Sequence, residues 1–319
     1  MESQIDYHAR FLRESLEGFE EDLQDIATDK EKQELLTSIQ SFAFSAIKEP
    51  LTRPAAEIQM AQQGLDVLWQ KFLKASAAIG SASLFQDRLV LLLLWTKQFD
   101  QMNKGLYTGQ SATKDWESFG FVESVQTFWE RLVSNSTETE LHGLATFSAK
   151  VLSAGVCQDK IAATCLCFMR EALEISDERA TRLLPGAVIW MEHCNHVLLK
   201  YCVLGKISQQ SEQSSLSLGL LAEDSVIDKT GFSIERWLFW RRRFQRLSHD
   251  PDSSIAKDAK KGFMAMINCG RDLDYEVPGE EAFTKKLQAT MWAELIKSGK
   301  ESLDGDEIDI DPDWVDQEE

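Results

Sequence analysis

Apolar residues recur at spacings of three and four along most of the chain, the pattern of one face of an α-helix. Near the start, Leu12, Leu16, Phe19 and Leu23 form such a stripe, with acidic residues between them. No stretch alternates between apolar and polar residues as a strand does. The pattern predicts an all-α fold, either a multi-helix bundle or an irregular helical array. Helices are predicted at about 3–26, 30–48, 54–80, 84–102, 138–154, 159–175, 186–204, 234–247, 253–270 and 280–298, with one more around Phe128.

The most apolar run, Leu89 to Trp95, lies in the predicted helix 84–102. A helix needs roughly 20 apolar residues to cross a bilayer, and this run is far shorter. We therefore predict a buried helix at the centre of the fold, and we expect no membrane partner.

Residues 207–231 are rich in serine and glutamine and form the best candidate for a flexible linker. The pattern otherwise predicts a single main helical domain over residues 1–300. Residues 301–319 contain ten acidic residues and no basic one, which predicts a disordered acidic C-terminal tail.

The formal net charge of −18 is concentrated at the two ends of the chain. Residues 301–319 contribute −10 and residues 1–34 contribute −7, so the remainder is close to neutral. The first residues lack the apolar core of a secretory signal, and the six cysteines then indicate reduced thiols. We expect an intracellular protein, in the cytoplasm rather than the nucleus.

The segment RWLFWRRRFQRL, residues 236–247, combines five arginines with two tryptophans. With Ser233 as the N-cap, Trp237, Trp240, Phe244 and Leu247 fall on one face, which predicts that these rings belong to the core. Arg242, Arg243 and Arg246 project to the other side, and Arg236 and Arg241 flank the boundary between the faces.

Nucleic acid is a poor partner for these arginines, because the acidic ends would repel a polyanion. Carboxylates fit better, since a guanidinium binds them in bidentate fashion. The sequence predicts a partner-binding site that joins an arginine group to an acidic segment. Within the chain the two candidates for this segment are the tail, which also has apolar anchors, and the acidic face of the first helix. The predicted residues are Arg241, Arg242, Arg243, Arg246, Ile308, Ile310 and Trp314.

The sequence contains none of the glycine-rich nucleotide loops, nucleophile elbows or metalloprotease motifs that would indicate a catalytic class. His193, Cys194, His196 and Cys202 share one predicted helix, and the two histidines are spaced to bind one metal. Cys194 falls on the apolar stripe, however, so packing explains it better. We expect no metal and no cofactor.

The run GFSIERWLFWRRRF and the later turn YEVPG, residues 275–279, resemble an uncharacterised fungal family defined by the domain of unknown function numbered 3632. The shared features are a W-x-x-W-[RK]-x-R helix, a Y-x-V-P-G turn and the ending GDEIDIDPDWVD. The resemblance is sharpest over residues 230–316. It implies a fungal, intracellular helical protein without an assigned activity, from a family whose members sometimes lie among specialised-metabolism genes.

Two functions follow from these observations. The leading one is a protein-protein interaction or scaffold module whose arginines dock an acidic segment. The missing motifs favour a protein without catalytic activity, but the sequence does not decide this. The alternative is an enzyme or small-molecule-binding accessory protein, with a pocket between helices that is lined by Trp190, His193 and Tyr201. Neither the partner nor the oligomeric state follows from the sequence.

Overall fold

The protein was analysed as a computed structural model, and the prediction of an all-α fold is confirmed. The structure describes residues 4–24, 26–52, 58–108, 120–135, 137–206, 217–225, 227 and 230–301. These residues contain helices and no strand. The helices are α1 Gln4–Gln24, α2 Asp29–Thr52, α3 Ile58–Ile79, α4 Phe85–Thr108, α5 Phe121–Asn135, α6 Glu138–Ser153, α7 Gln158–Leu173, α8 Glu178–Val203, α9 Leu220–Glu223, α10 Ile234–Leu247, α11 Ser253–Asp272 and α12 Glu281–Ser298.

The chain divides into two compact units, Met1–Thr164 and Cys165–Glu319. In the first unit, α3 packs against α1, α2, α5 and α6. Trp69 and Phe72 of α3 are fully buried, and their rings contact Phe121 and Phe147 respectively. Helix α6 approaches α3 closely, because a Cβ on Gly143 would lie 2.3 Å from the carbonyl oxygen of Ser76.

Two details of the first unit differ from the prediction. Helix α2 continues past the predicted end at 48, through Pro50 to Thr52, and α4 continues past the predicted end at 102 to Thr108. Helix α4 is not buried all round: Leu89 and Leu93 are fully buried, whereas Leu91 is 63% exposed. The apolar run Leu89 to Trp95 therefore did not identify the central helix of this unit. That helix is α3.

In the second unit, α8 packs along α11, and α10 packs against both. A Cβ on Gly262 of α11 would lie 2.5 Å from the ring of Phe244, so α10 meets α11 closely at this glycine. Helix α8 contains Pro185 and bends at Cys194, whose φ and ψ of −143° and 22° are not helical.

The predicted linker and tail lie mostly outside the described residues. Residues 207–216 and 302–319 are not among them, so a single domain over 1–300, a flexible segment at 207–231 and a disordered tail at 301–319 remain predictions. In the part of the chain that the structure describes, no helix is long and apolar enough to cross a lipid bilayer.

Candidate functional site

Helix α10 carries the arginines, and its orientation matches the prediction. The Ser233 hydroxyl accepts a hydrogen bond from the backbone N–H of Arg236 at 3.1 Å, which caps the helix. Trp237, Trp240 and Phe244 are fully buried. The prediction that these three rings belong to the core is therefore confirmed, whereas Leu247, predicted on the same face, is half-buried.

Arg236 lies on the buried side and forms an ion pair with Glu174, at the end of α7. Its Nε donates to Glu174 Oε1 at 2.6 Å and its Nη2 donates to Oε2 at 3.0 Å, and both side chains are fully buried. The Trp240 indole N–H also donates to Oε1, at 2.7 Å. The two carboxylate oxygens thus accept hydrogen bonds from two residues of α10. These bonds and the positive charge of Arg236 offset the cost of burying the carboxylate.

Glu174 also binds the backbone of the predicted linker, through both its carboxylate and its main-chain carbonyl. The backbone N–H of Gly219 donates to Glu174 Oε2 at 2.8 Å, and that of Leu221 donates to the Glu174 carbonyl oxygen at 3.0 Å. Arg236 Nη1 donates to the Gly231 carbonyl at 2.9 Å. Gly219, Leu221 and Gly231 are therefore all hydrogen-bonded to the Glu174–Arg236 pair.

Arg241 requires a correction, because it does not lie on the exposed face with the other predicted arginines. It is only 1% exposed, it pairs with the Glu280 carboxylate before α12, and its guanidinium lies 5.0 Å from the centre of the Phe283 ring. The carboxylate and the ring make burial of this arginine favourable. Its structural role is to join α10 to the start of α12.

Arg242, Arg243 and Arg246 remain on the outer face, and we refer to these three residues as the arginine row. They line a surface cavity of about 100 Å³ together with Leu221, Ser225 and Phe239. Within the described residues, no ion pair neutralises any of the three. The cavity therefore combines three guanidinium groups with apolar side chains.

Arg243 is the most enclosed member of the arginine row. Its Nε is buried without a hydrogen-bond partner among the described residues. Burial lowers its pKa, and the positive charge of Arg246 lowers it further, whereas Asp250 acts in the opposite direction. A guanidinium in this position gains most from an incoming carboxylate, because such a ligand supplies both the charge and the acceptors that it lacks.

The predicted tail anchors Ile308, Ile310 and Trp314 lie outside the described residues. Their contact with Arg242, Arg243 and Arg246 remains a prediction.

Two of the three residues predicted to line a pocket are packed in the core instead. Trp190 is fully buried, with its ring centre 6.0 Å from that of Phe168. Tyr201 is 4% exposed and stacks on Phe232 at 5.4 Å. His193 of the same helix is half-buried. The apolar periodicity of α8 identified core positions for both rings, and a pocket lined by these three residues remains a prediction.

All six cysteines are buried, and no disulfide joins any two of them. The Cys194 thiol donates to the Trp190 carbonyl oxygen at 3.1 Å, and burial raises the pKa of Cys165, Cys194 and Cys202 well above the ordinary thiol range. Burial raises the pKa of Cys269 to about 12. Among the residues that could be described, no three histidine, cysteine or acidic side chains come together as metal ligands.

The chain is similar to one named fungal protein. "Oxopyrrolidines biosynthesis cluster protein G" of Penicillium oxalicum (strain 114-2 / CGMCC 5302) is 26% identical over 211 residues, which cover 56% of this chain and 58% of that protein. The chain thus spans little more than half the length of this relative. No solved structure matches the chain.

The family model for the domain of unknown function matches residues 69–244, from α3 to Phe244 of α10. The match includes Glu174, Arg236 and the W-x-x-W-[RK]-x-R helix. It overlaps the predicted stretch 230–316 only at residues 230–244 and otherwise lies upstream of it. The family that the motifs indicated is confirmed, and the protein belongs to the family described as "Protein of unknown function (DUF3632)".

Proposed function

We propose that the protein is an interaction module whose arginine row binds a carboxylate-rich segment. The observation that carries this proposal is the group of three arginines, without an ion pair in the described residues, around a cavity that also contains Phe239. Arg242 and Arg246 are exposed, so a partner reaches them without rearrangement of the core. Bidentate pairing gives the contact its specificity for carboxylates.

We propose residues 302–319 of the same chain as the first occupant. This segment carries closely spaced aspartates together with Ile308, Ile310 and Trp314. The aspartates complement the arginine row, and one apolar side chain would fill the space beside Phe239 and Leu221. A tethered segment binds at a high effective concentration, so individually weak contacts suffice.

The family and the relative give this module a context. The relative's name places that protein in a fungal biosynthesis cluster. We propose by analogy that this protein has an accessory role in fungal specialised metabolism, as a binding partner rather than a catalyst. We place it inside the cell, in the cytoplasm rather than the nucleus.

Chemical modification of arginine tests the proposal on the full chain. Phenylglyoxal, with modified sites mapped by mass spectrometry, is expected to react with Arg242 and Arg246 more slowly in the unmodified chain than in the variant Ile308→Ala/Ile310→Ala/Trp314→Ala. Arg271, an exposed arginine of α11, serves as the internal control and is expected to react equally in both. Equal rates at Arg242 and Arg246 at low salt would rule out docking of the tail.

A further inference from the structure

A second and larger cavity within the second unit is also lined by Arg243. Its volume is about 430 Å³, inside the roughly 300–1,000 Å³ range of small-molecule sites. Its walls come from the end of α7, the start of α8, the end of α10 and the start of α11. The lining residues are Ala172, Ile175, Ser176, Asp177, Ala180, Thr181, Leu184, Arg243, Leu247, Asp250 and Ile255.

The deep part of this cavity is apolar, because Ala172, Ala180 and Leu184 are all buried. Leu247 and Ile255 continue the apolar surface and are half-buried. A ligand that fills this space therefore needs a hydrophobic body, which would be removed from water on binding.

The charged groups of the wall differ in how well they are satisfied. Asp177 caps α8 by accepting from the Ala180 N–H at 2.9 Å, and it also accepts from Arg179 at 3.3 Å. Asp250 accepts from the Asp252 N–H at 2.9 Å. Arg243, in contrast, has a buried Nε with no partner and no ion pair within the described part of the chain. Asp250 acts on the charge of Arg243 without forming an ion pair with it in the described residues, so what this wall lacks is a hydrogen-bond acceptor at the Arg243 Nε.

We propose that this cavity binds a small molecule that carries one carboxylate on an apolar body, with the carboxylate on Arg243 and the body against Leu184 and Leu247. A single negative charge fits best, because Asp177 and Asp250 would repel a second one. A bidentate carboxylate also matches the planar guanidinium more closely than a sulfonate or a free halide does. The cavity site shares Arg243 with the arginine row but does not depend on the tail.

A matched pair of probes tests the requirement for the charge. Naphthalene-1-acetate and its uncharged amide have the same apolar body and differ in the carboxylate alone. Titration calorimetry on the full chain is expected to give at least about tenfold tighter binding of the carboxylate than of the amide, the difference that a charge-assisted pair supports. Equal binding of the two probes, or binding of neither, would overturn the proposal.

Three variants localise the binding and separate it from the proposed function. Arg243→Gln is expected to abolish the preference for the carboxylate. Thr181→Trp fills the cavity from its exposed rim, so it is expected to prevent binding of the probe while leaving the tail's protection of Arg242 and Arg246 unchanged. Arg242→Gln, outside this cavity, is expected to leave affinity for the carboxylate within about twofold and to weaken docking of the tail.

Circular dichroism and thermal melting of each variant show whether its fold is retained. Because Thr181 is exposed, Thr181→Trp is the variant that best preserves the core. Undiminished probe binding by a folded Thr181→Trp chain would place the probe elsewhere and contradict the proposal. Failure of tail docking with intact probe binding would overturn the proposed function alone.

Discussion

Glu174 and Arg236 form a completely buried ion pair, with Glu174 Oε1 2.6 Å from Arg236 Nε and Oε2 3.0 Å from Nη2. The pair joins the end of α7 to the start of α10, and it also bonds the backbone at Gly219 and Gly231. It therefore fixes the helix from which the arginine row projects.

The first prediction concerns this ion pair. Glu174→Gln retains the size of the side chain but leaves Arg236 as a buried charge without a counter-ion, so the free energy of unfolding should fall by about 3–5 kcal/mol. Urea unfolding followed by circular dichroism measures the loss. The exposed pair of Lys297 and Glu294 is the control, because Lys297→Ala should change stability by less than about 0.5 kcal/mol. A loss below about 1 kcal/mol for Glu174→Gln would refute the structural role of the pair.

The second prediction concerns the close approach of Gly219 to Glu174. A Cβ at residue 219 would lie 2.6 Å from the Glu174 Cβ and 2.6 Å from its carbonyl oxygen, so Gly219→Ala should destabilise the fold by about 1–3 kcal/mol. Gly18 of α1 is the matched control. A Cβ there meets nothing within 4 Å, and Gly18→Ala should stabilise the helix by about 0.5–1 kcal/mol. This account would be contradicted if thermal melts showed that both substitutions stabilise the fold or that both destabilise it.

The third prediction concerns Lys71 in the first unit, whose ammonium donates to the Ser15 carbonyl oxygen at 2.8 Å. Burial lowers the pKa of Lys71 from its ordinary 10.5 to about 8, with the carboxylate of Asp22 acting in the opposite direction. Between pH 8 and 10.5 the unfolded chain therefore holds this proton more fully than the folded chain. The contribution of Lys71 to the free energy of unfolding should rise with pH across this window.

Lys71→Met isolates this effect, because the other groups that titrate at alkaline pH are common to both proteins. Urea unfolding at several values between pH 7.5 and 10 should show the stability of the unmodified chain rising relative to the variant. A difference that stays constant or falls over this window would contradict burial of the charged lysine.

The helices were predictable from sequence because their information is local. A capping serine followed by Trp237, Trp240 and Phe244 at helical spacing defines α10 and its buried face without reference to the rest of the chain. The ends were less certain: α4 continues beyond the predicted boundary to Thr108, through Asn103 and Gly105, which are residue types that commonly end a helix.

The pairings of the arginines were not predictable, because they depend on residues far away in the chain. Arg236 and Glu174 are 62 residues apart, and nothing near either residue indicates the other. Arg241 lies at the boundary between the two faces of α10, where a carboxylate from another element decides between burial and exposure. Glu280 provides that carboxylate, so Arg241 is buried and does not belong to the exposed arginines as predicted.

The central claim is that the arginine row recognises carboxylates of residues 302–319, and a charge exchange tests it most directly. Fluorescence anisotropy would compare two labelled peptides of this segment, one unmodified and one with Asp309, Asp311 and Asp313 each changed to Lys. The full chain carries Asp309, Asp311 and Asp313 changed to Asn together with Ile308→Ala, Ile310→Ala and Trp314→Ala, so that its own tail lacks the groups that would compete. Three versions of this chain are compared. The first has the arginine row intact, and the second carries Arg242→Glu and Arg246→Glu. The control carries Lys257→Glu and Lys260→Glu on α11 instead.

The unmodified peptide should bind the intact arginine row at least about tenfold more tightly than the reversed one, and the control substitutions should have little effect. The lysine peptide should show the opposite preference. Recognition of carboxylates by this helix would be contradicted if the two peptides bound equally well to the intact chain and to the Arg242→Glu/Arg246→Glu chain. It would also be contradicted if the lysine peptide did not bind the Arg242→Glu/Arg246→Glu chain.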